Sequence, residues 1–222
     1  MEKDRQGEPV DTGLLKKIIS IYTYLSNEKI TGNSMNCLSD LEGKLLTASR
    51  AYFQQQGSKM MGNHSLVEYL TLSNNIYEAE EKRLNTYLNW PDLSNKIINE
   101  FQQELLLKNQ TSLLESSTPE ALDGNLIALF GQKNSQALEL LYKLYSPMKD
   151  VGLKPVANEF KFYLIQQGKQ MISESDASLQ GKDQSIKNVL NNTQIVEKLL
   201  EMHVLYREMV ETCFEKDPLF IR

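Results

Sequence analysis

Apolar residues recur every three or four positions along almost all of this 222-residue chain. Nowhere do they alternate with polar residues for long enough to mark a strand. Leu14, Leu15, Ile18, Ile19, Tyr22 and Leu25 fall on one face of a helix that follows Asp11-Thr12, an N-cap, with Lys16 and Lys17 opposite. Residues 26–38 lose the period and read as a loop. A second helix fits Leu41, Leu45, Leu46, Ala48, Tyr52 and Phe53 and ends before Gly57. The third is long, running from Leu66 through Tyr69, Leu70, Ser73, Ile76, Tyr77 and Leu84 to Tyr87 and Leu88. Ser65 and Glu68 form a capping box at its start, and Trp90-Pro91-Asp92 stops it. Glu78, Glu80, Glu81, Lys82 and Arg83 are predicted to face water.

Asp92 is a candidate cap for the next helix, which carries Leu93, Ile97, Phe101, Glu104, Leu105 and Leu106. Thr118-Pro119 reads as the start of another, with Leu122, Leu126, Ile127, Leu129 and Phe130. Ala137 to Tyr145 make a short helix closed by Ser146-Pro147. Pro155 opens the next, with Val156, Phe160, Tyr163 and Leu164 inward and Gly168 near its end. Residues 173–184 read as a solvated loop. The last pattern, Ile186 to Phe214, runs about 43 Å at 1.5 Å per residue. The expected fold is all-α, with about eight helices.

Composition narrows the class. At 41% hydrophobic residues the chain has material for a core, so it is not wholly disordered. A net charge of −5, without a run of Lys and Arg, argues against a nucleic-acid partner. No apolar run approaches the roughly 20 residues that span a bilayer, and the first eight residues lack the apolar core of a signal peptide. Cys37 and Cys213, far apart, read as reduced thiols. The sequons at Asn63, Asn109 and Asn191 are then chance matches, and the expected location is intracellular, cytoplasm and/or nucleus.

Catalytic and metal motifs are missing. No phosphate-cradling glycine loop and no Gly-x-Ser-x-Gly elbow is present. His64 and His203 are the only histidines, and each is too isolated for a zinc site. His203 and Cys213 share a helix, but ten residues amount to about 15 Å of rise, too far for direct contact. The cluster Glu78-Ala79-Glu80-Glu81, followed by Lys82-Arg83, reads as a solvated helix face. Tyr69, Tyr77, Tyr87 and Trp90 read as packing residues, since no cations interleave with them as base stacking requires. The chain is therefore expected to be non-enzymatic, with no catalytic residue, no cofactor and no metal.

Several stretches carry a family resemblance in colinear order. Arg5-Gln6-Gly7-Glu8-Pro9-Val10-Asp11-Thr12-Gly13-Leu14-Leu15-Lys16 resembles the cullin stretch in which an Arg-x-Gly-Glu turn leads into a Leu-rich helix. Leu45 to Phe53 resembles the cullin Phe-Leu-x-x-Thr-x-x-Tyr-Tyr helix, with Glu42-Gly43 in place of its preceding Phe-Glu. Val67-Glu68-Tyr69-Leu70, then Glu78 to Leu88, is similar to the cullin Tyr-Leu … Glu-Glu … Arg-Val-x-x-Tyr-Leu spacing. Leu141-Tyr142-Lys143-Leu144-Tyr145-Ser146 resembles Met-Tyr-x-Leu-x-Ser-Arg, with Pro147 at the Arg position. Gly152-Leu153 and Tyr163 through Gln167-Gly168 follow in order. Leu199-Leu200, Tyr206, Val210, Phe214, Asp217 and Phe220 match the helix ending Phe-x-x-Asp-x-x-Phe.

The resemblance implies an elongated arm of cullin repeats, each a bundle of about five helices. On that alignment residues 1–40 close the first repeat and its connecting loop, 41–150 form the second, and 151–222 an incomplete third that breaks off at Ile221-Arg222. It further implies a rigid scaffold segment of a cullin-RING-type E3 ubiquitin ligase, separating substrate receptor from ubiquitin-transfer module. Its partners would be proteins of that complex, with neither nucleic acid nor membrane involved; the adaptor-binding and RING-binding regions are not recognisable in this chain. The alternative is an unrelated helical rod that tethers or assembles partners. A compact 222-residue globule would have a radius of gyration of about 17 Å, and an extended arm a larger one. An incomplete third repeat would leave part of the apolar face of helix 186–214 uncovered, so association or low thermal stability is expected.

Overall fold

The computed structural model describes residues 2–27, 34–88, 90–115, 125–177 and 184–221, and these contain helices and turns with no strand among them. The α-helices are α1 (Glu2–Arg5), α2 (Thr12–Asn27), α3 (Ser34–Met60), α4 (Leu66–Tyr87), α5 (Pro91–Phe101), α6 (Lys108–Glu115), α7 (Leu126–Gln132), α8 (Ser135–Tyr145), α9 (Lys149–Ala177) and α10 (Gln184–Cys213). A π-helical turn, Gln102–Leu107, joins α5 to α6, and a 3₁₀ turn, Ser146–Met148, joins α8 to α9. The two helices beyond the expected eight have simple origins. α1 is too short to carry a period, and the π turn divides one apolar run into α5 and α6.

The chain divides into two compact units: residues 1–64 with 68–110, and residues 65–67 with 111–222. In the first, α3 is the spine against which α2, α5 and the π turn pack. Its core holds Phe53, Tyr69, Leu70, Leu93, Ile97, Phe101, Leu105 and Leu106. Phe53 stands edge-on to Phe101, ring centroids 5.6 Å apart.

The π turn inserts an extra residue into the helical ladder and displaces its carbonyls, which need other donors. Tyr69 Oη donates to the Leu105 carbonyl at 2.5 Å, and Asn109 Nδ2 donates to the same oxygen at 3.1 Å. Asn109 Nδ2 also lies 2.9 Å from Tyr69 Oη. α3 passes this point at Gly57, where an added Cβ would sit 2.9 Å from Asn109 Nδ2. Gly57 therefore lies inside α3, not beyond its end: the glycine permits a close approach and does not break the helix. The start of α3 differs as well, since its helix begins at Ser34, inside the stretch expected to be loop.

Burial pushes the Tyr69 phenol up to about 12, against the lowering pull of the Asn109 hydrogen bond. A raised folded pKa on an acid means that the neutral form is the one the fold holds. The contribution is complete below the unfolded value near 10 and is lost as pH rises from there toward 12. Alkaline titration of the folded chain is expected to show stability falling over that window, by up to about 1.4 kcal/mol per pH unit per such group. Tyr69→Phe should flatten this fall in equilibrium unfolding at pH 10 to 12, and an unchanged slope would contradict it.

In α2 the sequence placed the apolar stripe one step off. Ile19 is buried and Leu15 and Tyr22 are half-buried, whereas Leu14 and Ile18 of the expected inward face are exposed. Asp11 is the cap anticipated, its Oδ1 accepting the Leu14 N–H at 2.9 Å. Asp92 is not a cap: Trp90 occupies the N-cap of α5, Pro91 the first turn, and no side chain bonds the free amides. Pro suffices because its missing N–H is one of those that need no intrahelical partner.

The second unit is built on α9 and α10, with α7 and α8 packed against them. Phe160 of α9 lies at the centre of an aromatic cluster, its ring 5.0 Å from Phe130, 5.9 Å from Phe214, and 6.0 Å from both Tyr206 and Phe220. Glu215 and Lys216 take left-handed φ of 49° and 60°, turning the chain after α10 so that Phe220 stacks on Phe214 at 4.0 Å. Tyr206 Oη donates to Tyr163 Oη at 2.9 Å.

Helix starts in this unit are set by asparagine. Asn125 Oδ1 accepts the Ala128 N–H at 2.7 Å and Asn134 Oδ1 that of Ala137 at 3.2 Å, opening α7 and α8. The start expected at Thr118-Pro119 lies outside the described residues. Pro155 sits inside α9, whose first residue is Lys149, and does not open it. The helix accepts the lost hydrogen bond because Leu153, Val156, Ala157 and Phe160 bury the face around it. α9 also continues past Gly168 to Ala177, so the expected loop shrinks to residues 178–183, which lie outside the described residues.

Gly152 marks the tightest approach in this unit, an added Cβ falling 2.7 Å from the Tyr145 carbonyl oxygen. In an open helix Gly→Ala would gain about 1 kcal/mol. Here the obstructing atom is backbone, so Gly152→Ala is expected to destabilise by about 1–3 kcal/mol in thermal unfolding. A gain would place the α8–α9 corner elsewhere.

Candidate functional site

The buried positions of α4, Leu66, Tyr69, Leu70, Ser73, Glu80, Leu84 and Tyr87, form one inward stripe at three-, four- and seven-residue steps. Glu80 lies on that stripe and is 0% exposed. This corrects the expectation that it faces water with its neighbours; Glu78, Glu81 and Lys82 are exposed, while Arg83 is half-buried. The misreading came from residue type: a carboxylate inside a charge run was assigned to solvent although its spacing follows the apolar residues.

A buried carboxylate needs paired charge and hydrogen bonds. Arg5 supplies them from α1, donating from Nη2 to Glu80 Oε1 at 2.5 Å and from Nε to Oε2 at 3.1 Å. Its Nη2 also reaches Ser49 Oγ of α3 at 2.8 Å. The guanidinium carbon lies 4.6 Å from the Tyr52 ring centroid and 5.4 Å from that of Phe53. The Arg5 side chain is 2% exposed. Arg83 donates to Glu80 Oε2 at 2.9 Å and to Asp4 Oδ2 at 2.6 Å, and Tyr87 Oη donates to Asp4 Oδ1 at 3.2 Å. Two acids and two bases thus close a neutral network that ties α1 to α3 and α4.

The network is a joint, with its proton-binding groups engaged in charge-assisted hydrogen bonds. Two stretches that carry the family resemblance meet here, since Arg5 belongs to Arg5-Gln6-Gly7-Glu8 and Glu80 to Glu78-Ala79-Glu80-Glu81. Sequence reasoning missed Arg5 because a four-residue helix in a polar terminus offers no period. The spacing of Glu80 was the available signal.

The other residues singled out by sequence are dispersed. His64 is exposed and faces Glu68, Nδ1 to Oε2 3.6 Å. His203 is exposed on α10, not on the apolar side first expected. Cys213 is buried; burial raises its thiol pKa, against a hydrogen bond from Thr212 that lowers it. The side chain of Cys37 lies outside those described. Tyr69 and Tyr87 are buried, Tyr77 packs 5.6 Å from Phe101, and Trp90 is half-buried. Among the described residues no three His, Cys, Asp or Glu are grouped to hold a metal ion, and no helix is long and apolar enough to cross a membrane.

What the surface offers is apolar helix. On α2, Leu14, Ile18, Ile21 and Tyr24 are exposed at helical spacing. On α10, Val196, Leu200 and Val204 are each more than half exposed, which matches the uncovered face anticipated for helix 186–214.

Comparison with known proteins places these observations. The family model of the cullin alpha solenoid domain matches residues 1–222. The chain is 27% identical over 225 residues to Cullin-2 of Arabidopsis thaliana, covering 99% of this chain and 28% of that protein. It is 24% identical over 220 residues to Putative cullin-like protein 2 of the same plant, covering 99% of this chain and 52% of that protein. With Cullin-3 of Schizosaccharomyces pombe it shares 22% identity over 219 residues, 96% of this chain and 26% of the relative. The chain therefore spans between about a quarter and a half of the length of these curated relatives.

Proposed function

Because this chain belongs to the cullin family, we propose that it is a rigid scaffold segment of a cullin-RING-type E3 ubiquitin ligase complex. In that role it separates a substrate receptor from a ubiquitin-transfer module and performs no chemistry itself. The observation that carries the reading is the family match over residues 1–222. The family membership displaces the alternative of an unrelated rod.

On this reading catalysis arises from proximity, with the scaffold fixing the separation of two groups that would otherwise meet by diffusion. Such a role requires stiffness. The buried ionic joint and the π-turn hydrogen bonds support it, because both replace loosely packed surface by geometry that is costly to distort. Residues 1–40, 41–150 and 151–222 then correspond to the end of a first repeat, a second repeat and the beginning of a third. Partners are other proteins of the complex, met in the cytoplasm and/or nucleus, and neither nucleic acid nor membrane is involved.

The test is a chimera. The corresponding segment of a longer relative, the Arabidopsis Cullin-2 similar to this chain, is exchanged for residues 1–222, and ubiquitin transfer to a bound substrate is measured. Transfer within about tenfold of the parent is expected. A chimera that folds and assembles with both partners yet fails to transfer would overturn the reading.

A further inference from the structure

The space that Arg5 fills has the chemistry of a receptor for its head group. Both oxygens of Glu80 meet the guanidinium edge, at 2.5 and 3.1 Å, and Ser49 Oγ takes a further contact at 2.8 Å. The rings of Tyr52 and Phe53 line the space within 4.6 and 5.4 Å of the guanidinium carbon. A bidentate carboxylate combined with aromatic faces selects a planar, weakly hydrated guanidinium over a compact ammonium.

The walls and the occupant come from different parts of the fold. Ser49, Tyr52 and Phe53 lie on α3 and Glu80 on α4, helices of 27 and 22 residues. The occupant comes from α1, four residues long with no residue in the buried class. Its attachment depends on the Arg5 head group and on Asp4, which Arg83 and Tyr87 hold. Without the Arg5 cation, Glu80 and Asp4 face Arg83 alone, leaving one negative charge in excess. The site would therefore accept one monovalent cation.

We propose that this cavity is a guanidinium-binding site, occupied in cis by Arg5, and that it accepts an alkylguanidinium or an arginine side chain supplied in trans when Arg5 is withdrawn. α1 is then a releasable clasp, whose hold on the first unit is set by competition for one socket.

The experiment uses the full chain carrying Arg5→Ala, titrated with propylguanidinium or propylammonium at low millimolar concentration. Ligand that binds only the folded state raises the melting temperature in proportion to its occupancy. The variant should gain several degrees with propylguanidinium, at least threefold more than with propylammonium, and the parent chain should not respond. Adding Glu80→Gln to Arg5→Ala should abolish the gain. If Arg5→Ala is unfolded without ligand, the same titration is read as return of helix by circular dichroism. Equal responses to the two cations, an equal response of the parent chain, or no return of structure would each overturn the proposal.

Discussion

Arg5→Ala is expected to destabilise the first unit by about 3–5 kcal/mol, the range found when one member of a buried, hydrogen-bonded ion pair is removed. The loss comes less from the missing attraction than from the group left behind: Glu80, 0% exposed, would keep only Arg83 as a charged partner. Trp90, the only tryptophan, lies in the first unit and reports its unfolding by fluorescence. The denaturant midpoint should fall with little change in slope. Arg50→Ala provides the contrast. Its pair with Glu100 is at 2.7 Å, but the Arg50 side chain is 57% exposed, so a loss of about 0–1 kcal/mol is expected. Arg5 and Glu80 should also couple strongly in a double-mutant cycle, since removing both leaves no orphaned charge. A cost below about 1 kcal/mol for Arg5→Ala would show that α1 does not hold the network in solution.

Phe160→Ala is the corresponding experiment for the second unit, with an expected loss of about 3–5 kcal/mol. Phe160 is 2% exposed and touches rings from α7 (Phe130), α10 (Tyr206) and the segment after it (Phe214 and Phe220). Truncation opens a cavity against all of them, and edge-to-face contacts each worth about 0.5–1.5 kcal/mol disappear with it. Phe162, two residues on and 51% exposed, makes the control, since its truncation should move the midpoint little. Comparable losses from Phe160→Ala and Phe162→Ala in thermal melts would mean that the inward face of α9 is misassigned.

The all-α class was legible from spacing alone, because helices long enough to bury a stripe must repeat it every three to four residues. The inward residues of α4, α5 and α8 follow directly from that rule. α2 shows its limit. Its apolar arc is wider than the face its neighbours cover, so periodicity identified the helix but not which edge is buried. The boundaries at Gly57 and Pro155 failed for a related reason. Each residue was read by its local propensity, while close packing at Asn109 and burial around Leu153 and Phe160 decided the outcome. The candidate site was half legible. Glu80 stood in the apolar register all along, but its partner Arg5 is 75 residues away and is brought there only by tertiary structure.

The account's central claim is that the chain serves by holding two modules at a fixed separation, and a hinge tests it most directly. In the Cullin-2 chimera, a flexible Gly-Ser segment of about ten residues inserted after Glu115 would leave each unit's core intact while removing its fixed geometry. Binding of substrate receptor and transfer module should be unchanged, and ubiquitin transfer should fall at least tenfold. Unchanged transfer with both partners bound would contradict the claim that rigidity is what this chain contributes.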